Sequence, residues 1–240
     1  MLLDLGTANP ATLVLLPGLD GTEVFFRPLL ASLPKWVRSH VMCFPPAGAN
    51  DYEDLLAIVR EEVSMIASFY VLGLSFGGPL ALMLAEAEPE KVKGVILATT
   101  FVSPPRRIYV QMRFTAVTPT IWLLRACRRI PVWLSRGSTD QLRLDKAETW
   151  RRVSARIVAA RIRALLKVDA QKLLRNCRTP VLCIAGSNDG VVPQHNVEEI
   201  VRVRPSVYVR IIEGRHFAMY TNPTAAADAI TEFMQTKRAE

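Results

Sequence analysis

Short β-branched or leucine-rich runs alternate with stretches of helical periodicity in the first and last parts of this chain. The runs at 12–16, 40–44, 70–74 and 92–98, and again at 180–185 and 207–212, are strand-like in length and composition. Between and after them, 51–68, 78–86, 194–202 and 223–236 space their apolar residues as helices do. Strand and helix in alternation predict an α/β fold: a mostly parallel sheet of about six strands with helices on both faces. In such sheets function collects at the carboxyl ends of the strands.

The middle of the chain breaks this rhythm. Residues 104–170 show helical periodicity only, punctuated by Pro104, Pro105, Pro119 and Pro131. They are expected to form a helical cap inserted into a core made of 1–103 and 171–240. Within the cap, 117–130 sets Val117, Ile121 and Leu124 against Arg125, Arg128 and Arg129. A second helix is expected over 149–166, with Trp150, Val153, Ile157, Ala160 and Ala164 on one side and Arg152, Arg156 and Arg163 on the other. Arg161 falls within that apolar face, so it either pairs with a buried carboxylate or reaches an anionic part of a substrate. Trp122, Leu123, Trp133, Leu134 and Trp150 are available to line an apolar pocket.

Charge sharpens this division. The chain of 240 residues carries a net +8, yet 104–170 alone holds 15 Lys and Arg against 4 Asp and Glu, while the remainder holds 15 against 18. Basicity confined to one insertion, with no recognition motif, argues against a nucleic-acid binder. The basic faces can be a solvated surface, a docking site for an acidic acyl carrier protein, or a contact for anionic lipid. Half the residues are apolar, enough to bury one large domain without staples. Cys43, Cys127, Cys177 and Cys183 lie far apart with no Cys-x-x-Cys spacing, as in a reduced chain. No apolar run approaches the ~18 residues of a membrane span, and no basic cluster precedes an apolar stretch near Asp4. A soluble, cytoplasmic chain without integral membrane association is expected.

The chemistry begins where the run 70–74 ends, at Gly73-Leu74-Ser75-Phe76-Gly77-Gly78, directly before an apolar helix. A G-x-S-x-G between strand and helix forces a sharp turn that lifts the serine hydroxyl clear of the sheet. The Phe76 amide at the start of the helix then points to where negative charge would form. A serine needs a base and an acid to orient it. Of the three histidines, His40 enters a strand upstream and His195 follows Pro193 at a helix start, the first a structural residue and the second a solvated one. His216 lies just past the run 207–212 and is the candidate base. Asp189, in the loop after 180–185, is the candidate acid. Asp169 is its rival, but it precedes that strand and suits a helix cap or an arginine partner. A second oxyanion donor is expected from Leu16-Pro17-Gly18-Leu19-Asp20-Gly21-Thr22, through the Leu19 amide. Asp20 would fix that loop through hydrogen bonds to its backbone.

On Pro17-Gly18-Leu19-Asp20-Gly21, Gly73-Leu74-Ser75-Phe76-Gly77-Gly78, Asp189 and His216, the sequence resembles the α/β-hydrolase superfamily over nearly its whole length. By size and layout it is similar to the small carboxylesterase branch that includes pimeloyl-ACP methyl ester carboxylesterase. The resemblance implies a helical lid after the family's sixth strand, where 104–170 stands. Two departures accompany it. About a dozen residues precede the first run, so the antiparallel pair that opens the family's sheet is expected to be missing, leaving six strands. The family's His-Gly at the oxyanion loop is Pro17-Gly18, which keeps the backbone donor and loses the histidine side chain.

The expected activity is hydrolysis of carboxylic esters or thioesters of short to medium acyl chains through an acyl-serine intermediate, with no cofactor or metal. Serine at position 75 excludes the aspartate-nucleophile chemistry of epoxide hydrolases and dehalogenases. A cofactor-free haloperoxidase or carbon-carbon hydrolase would use the same three residues, and a non-catalytic ligand-binding protein could use the same lidded pocket.

Overall fold

In the computed structural model, which describes residues 10–106 and 140–236, strands and helices alternate as the periodicity predicts. The strands are β1 (Ala11–Leu16), β2 (Val37–Val41), β3 (Phe69–Leu74), β4 (Val92–Ala98), β5 (Val181–Gly186) and β6 (Tyr208–Ile212). The described helices are α1 (Arg27–Ser32), α2 (Tyr52–Glu62), α3 (Gly77–Ala87), α4 (Asp140–Arg152), α5 (Ala155–Leu165), α6 (Gln171–Asn176), α7 (His195–Val203), α8 (Ala218–Thr221) and α9 (Pro223–Thr236).

The sheet is six-stranded and every pairing is parallel, in the order β2-β1-β3-β4-β5-β6. The chain steps outward from β1 to β2, then returns past β1 to β3 and continues the other way. That reversal opens a crevice between the carboxyl ends of β1 and β3, the place where sheets of this kind bind ligands.

Period-two alternation divides the core into two layers. Val14, Leu16, Val71, Val95 and Leu97 turn to one face, where Leu55 and Val59 of α2 and Leu80 and Leu84 of α3 cover them. Leu13, Leu15, Leu72, Ile96 and Ile184 turn to the other, against Leu29 of α1 and Ile230 and Phe233 of α9. Each such side chain contributes about 1.5–3 kcal/mol when fully buried.

Between β4 and β5 the described residues contain helices and no strand. Helices α4 and α5 rest on loops that follow β1, β2 and β6, which places them over the carboxyl edge of the sheet. The α4 contacts are ionic outside and hydrogen-bonded inside. Arg27 bridges Glu148 at 2.9 Å and Arg152 bridges Glu23 at 2.8 Å, with the Arg152 guanidinium holding the Glu23 carboxyl down at about 2. Beneath them the Tyr220 hydroxyl donates to the buried Asp145 at 2.7 Å. Val153, Ala155, Ile157, Val158 and Ala159 form a small apolar cluster against which Leu19 packs.

Three expected boundaries move. The second strand begins at Val37 rather than 40, because it is an edge strand held by register with β1 from Ala11↔Val37 to Leu15↔Val41, and it ends before Phe44, Pro45 and Pro46. Helix α2 stops at Glu62, six residues early: the Val63 amide still closes a helical turn on Val59, and the Ser64 and Ile66 amides then close tight turns on Glu61 and Val63. The single helix expected over 149–166 is two, since Ser154 adopts an extended conformation and its side chain accepts from the Ile157 amide at 3.3 Å as the N-cap of α5. Trp150 therefore belongs to α4, half-buried. The helix expected at 117–130, its Arg125, Arg128 and Arg129, and Cys127, Trp122, Leu123, Trp133 and Leu134 lie outside the described residues. Among the described residues no helix is long and apolar enough to cross a membrane.

Removing the Tyr220 hydroxyl leaves the Asp145 carboxylate short of a partner in a buried setting. Tyr220→Phe is expected to lower stability by about 1–3 kcal/mol, measured by urea unfolding with the m-value unchanged.

Candidate active site

Ser75 follows β3 without a break and carries a φ of +50°. An L-residue pays strain in that region, and it persists only where the surroundings impose it. Here the Ser75 amide donates to the Ala98 carbonyl at 2.8 Å, and the Ser75 carbonyl accepts from the Gly78 amide at 3.1 Å and from the Thr100 hydroxyl. Gly77 supplies the room: a Cβ there would stand 2.6 Å from the Leu16 carbonyl oxygen. Helix α3 can thus start against the end of β1.

Phe76 is fully buried, stacked on the Tyr52 ring at 4.6 Å, and its carbonyl accepts from the Tyr52 hydroxyl at 3.1 Å. These contacts fix the first peptides of α3, where N–H groups have no intrahelical partner and can serve an anion. On the other wall of the crevice, a Cβ on Gly18 would be 3.9 Å from the Ser75 Cβ, so the loop after β1 lies beside the serine. The Gly21 amide donates to the Gly18 carbonyl at 2.9 Å, which makes Leu19 and Asp20 the central pair of a tight turn. The Asp20 carboxylate accepts from the Thr22 amide and hydroxyl, the loop-fixing role expected of it, and burial raises its pKa.

His216 and Asp189 arrive from the ends of β6 and β5. The His216 Nε2 lies 3.0 Å from the Ser75 Oγ, and its Nδ1 lies 2.8 Å from the Asp189 Oδ2. The Asp189 side chain is 3% exposed, and its other oxygen accepts from the Val191 and Val192 amides at 2.8 and 2.9 Å. With both carboxylate oxygens occupied, Nδ1 carries the proton and Nε2 is left to accept from the serine. The imidazole meets the Phe217 ring edge-on at 5.6 Å, and the Lys146 ammonium sits 4.4 Å over that ring, its pKa lowered by burial to about 8.

The rival residues stand elsewhere. Asp169 accepts from the Gln171 amide at the start of α6, and His40 lies on edge strand β2, 3.5 Å from Glu62. His195 is surface-exposed as expected, yet its ring nitrogen contacts the Pro105 carbonyl at 3.0 Å. With Asn196 donating to the same carbonyl and Arg106 donating to the Gly190 carbonyl at 2.6 Å, it ties the start of the insertion to the Asp189 loop. Arg161 is not paired with a buried carboxylate. Its guanidinium donates to the Asn50 side chain and to the Leu19 and Pro45 carbonyls, and Asp20 is the carboxylate whose field it feels. Asn50, Tyr52 and Thr100 carry no motif, and composition gave no sign of their part in this site.

Among the described residues no group of three or more His, Cys, Asp and Glu is placed to hold a metal ion. A cavity of about 540 Å³ lies between α5 and the start of α2, lined among others by Asp51, Tyr52, Arg156 and Arg163. None of Ser75, Asp189 and His216 lines it.

Comparison with known proteins gives this geometry a setting. The model of the Alpha/beta hydrolase family matches residues 13–229. A poly(3-hydroxyalkanoate) depolymerase of Ectopseudomonas oleovorans is 26% identical over 183 residues, 70% of this chain, and the match spans 61% of that enzyme's length. The enol-lactonase of Burkholderia xenovorans LB400 superposes with a TM-score of 0.79 at 19% identity, covering 95% of this chain and 92% of that one. A bromoperoxidase of Bacillus anthracis does so at 0.79 and 16% identity, covering 95% and 93%.

Gly77→Ala would drive a methyl group into the Leu16 carbonyl. It is expected to cost about 1–3 kcal/mol as an overpacked contact, read as a fall in the thermal midpoint.

Proposed function

The chain belongs to the alpha/beta hydrolase family; on that premise we propose that it is a serine hydrolase cleaving carboxylic esters or thioesters of short to medium acyl chains. The observation that carries this reading is the unbroken run of contacts from Asp189 through His216 to the Ser75 hydroxyl, with that hydroxyl held on a strained turn. A polymer of hydroxyalkanoates and an enol-lactone are both carboxylic esters, so the names of two relatives point to the same bond class.

The Ser75 Oγ attacks the acyl carbonyl carbon while its proton passes to the His216 Nε2. Asp189 stabilises the imidazolium and stays ionised. The carbonyl oxygen becomes an oxyanion, held by the Phe76 amide and by the Leu19 amide of the tight turn after β1. Collapse breaks the bond to the alcohol or thiol, which leaves with the proton from Nε2. Water then gives a proton to Nε2 and its hydroxyl to the acyl carbon, and the acid departs as Ser75 recovers its proton. Helices α4 and α5, over the strand ends, act as part of a lid that limits water around the acyl-enzyme.

A chain-length series of p-nitrophenyl esters tests the reading. Activity is expected on short to medium acyl groups, lost by at least ~1,000-fold in Ser75→Ala and reduced on the order of 100- to 10,000-fold in Asp189→Asn. A fluorophosphonate should label Ser75 and no other residue. Undiminished turnover in Ser75→Ala, or bromination of an activated β-diketone without ester cleavage, would remove the proposal.

A further inference from the structure

Arg161 is 1% exposed and lies on the buried face of α5, where an aliphatic side chain would satisfy the packing. Burying a guanidinium is costly unless its donors are satisfied, so its acceptors reveal its use. Nε and Nη2 both donate to the Asn50 side-chain oxygen, at 3.0 and 2.7 Å, Nη2 also reaches the Pro45 carbonyl at 3.3 Å, and Nη1 donates to the Leu19 carbonyl at 3.0 Å. The Phe44 ring lies 5.3 Å from the guanidinium carbon. With these partners and no access to solvent, the group is not available to an anionic substrate.

The Leu19 carbonyl belongs to the central peptide of the Gly18–Gly21 turn. The Leu19 N–H belongs to the preceding peptide and shares the Leu19 Cα with that carbonyl, so the amide keeps its direction only while the turn as a whole keeps its place. Three contacts hold it there. Asp20 holds Thr22 on the far side, the Gly21 carbonyl accepts from the Phe44 amide at 2.8 Å, and Arg161 holds the peptide itself. Gly21, at a φ of +70°, packs against the guanidinium, where a Cβ would come within 2.7 Å of Cζ. The turn and the arginine are fitted to each other.

We propose that Arg161 is a positioning residue for the oxyanion loop: by holding the Leu19 carbonyl it fixes the Leu19 Cα and with it the adjoining Gly18–Leu19 peptide that carries the Leu19 N–H, so that seating α5 and completing the oxyanion hole are one event. The inference rests on the acyl-serine reading above. It assigns to the insertion a part in transition-state geometry in addition to covering the site. Because the guanidinium touches neither substrate nor nucleophile, its loss should change turnover and leave substrate binding alone.

The test compares Arg161→Met, Arg161→Lys and Asn50→Gly with the native chain, using p-nitrophenyl butyrate and butylboronic acid, whose tetrahedral adduct on serine places an oxygen in the hole. Arg161→Met is expected to lower kcat about 10- to 100-fold with KM within about twofold, and to weaken boronate inhibition by the same factor. Arg161→Lys, retaining one donor in reach of Leu19, should recover part of both. Asn50→Gly keeps the left-handed backbone and leaves Arg161 in place but less restrained. It should show a smaller, several-fold fall in the same two quantities, and it carries the test if Arg161→Met does not fold. Unchanged kcat and boronate affinity in a folded Arg161→Met, or in Asn50→Gly if that alone folds, would overturn the inference, as would a rise confined to KM. Fluorophosphonate labelling of the native chain separates the two claims. Its failure at Ser75 sinks the hydrolase reading itself, whereas labelling at Ser75 with unaltered rates in the variants sinks only the role of Arg161.

Discussion

The strained backbone at Ser75 is the constraint around which the crevice is arranged. A left-handed φ on a serine costs on the order of 1–3 kcal/mol and would relax in an isolated peptide. It holds because β3 and α3 are both anchored in the core on either side of it, so that the chain has one residue in which to turn. The Ser75 amide and carbonyl are each tied to the end of β4, through Ala98 and Thr100. Thr99, between those two, itself has a φ of +43° and donates its amide to the Ile184 carbonyl of β5 at 2.7 Å. Strain at one strand end is thus braced against irregularity at the next, and both are paid by the apolar burial of the two core layers.

Once the serine is fixed, the remaining groups must be brought to it by loops, and loops are softer than strands. The insertion between β4 and β5 addresses each of them. Of its first residues, Arg106 contacts the loop that carries Asp189, and Pro105 contacts the start of α7, into which that loop runs. Helix α4 meets α8, which follows His216, through Asp145 and Tyr220. Helix α5 meets the turn after β1 through Arg161. The exposed ion pairs of Glu23, Arg27, Glu148 and Arg152 contribute little individually, since solvent screens them. The buried ties are fewer and more demanding, because a partner missing from any of them leaves a polar group without water or protein to satisfy it.

What the sequence revealed of this arrangement follows from which interactions leave a pattern. Strand, G-x-S-x-G and helix in succession reveal the elbow, because the steric demand falls on glycines. His216 and Asp189 are found by chain order, because each must stand past a strand. Edge strand β2 leaves no such mark, since Arg38 and Ser39 are both exposed and no alternation runs through them. The break at Ser154 is hidden because α4 and α5 continue the same apolar phase across it. Arg161 stands out in the sequence as an anomaly on an apolar face, but its partners do not. Two of its acceptors are backbone carbonyls, which every residue possesses, and the third is an asparagine 111 positions away.

That anomaly carries the most physical information about the insertion. An apolar residue at 161 would satisfy α5 and tolerate small slides of the helix, since dispersion contacts have no direction. A guanidinium is planar, and each of its donors requires an acceptor along a fixed line. Burial without a facing carboxylate lowers its pKa to about 10, with Asp20 opposing that shift, so the charge is held at a cost that only correct placement offsets. Helix α5 therefore has one low-energy seat on the turn after β1, and the turn has one conformation beneath it. The Leu19 amide, one peptide away from the pinned carbonyl, is given its direction by the same arrangement that excludes water from around Arg161.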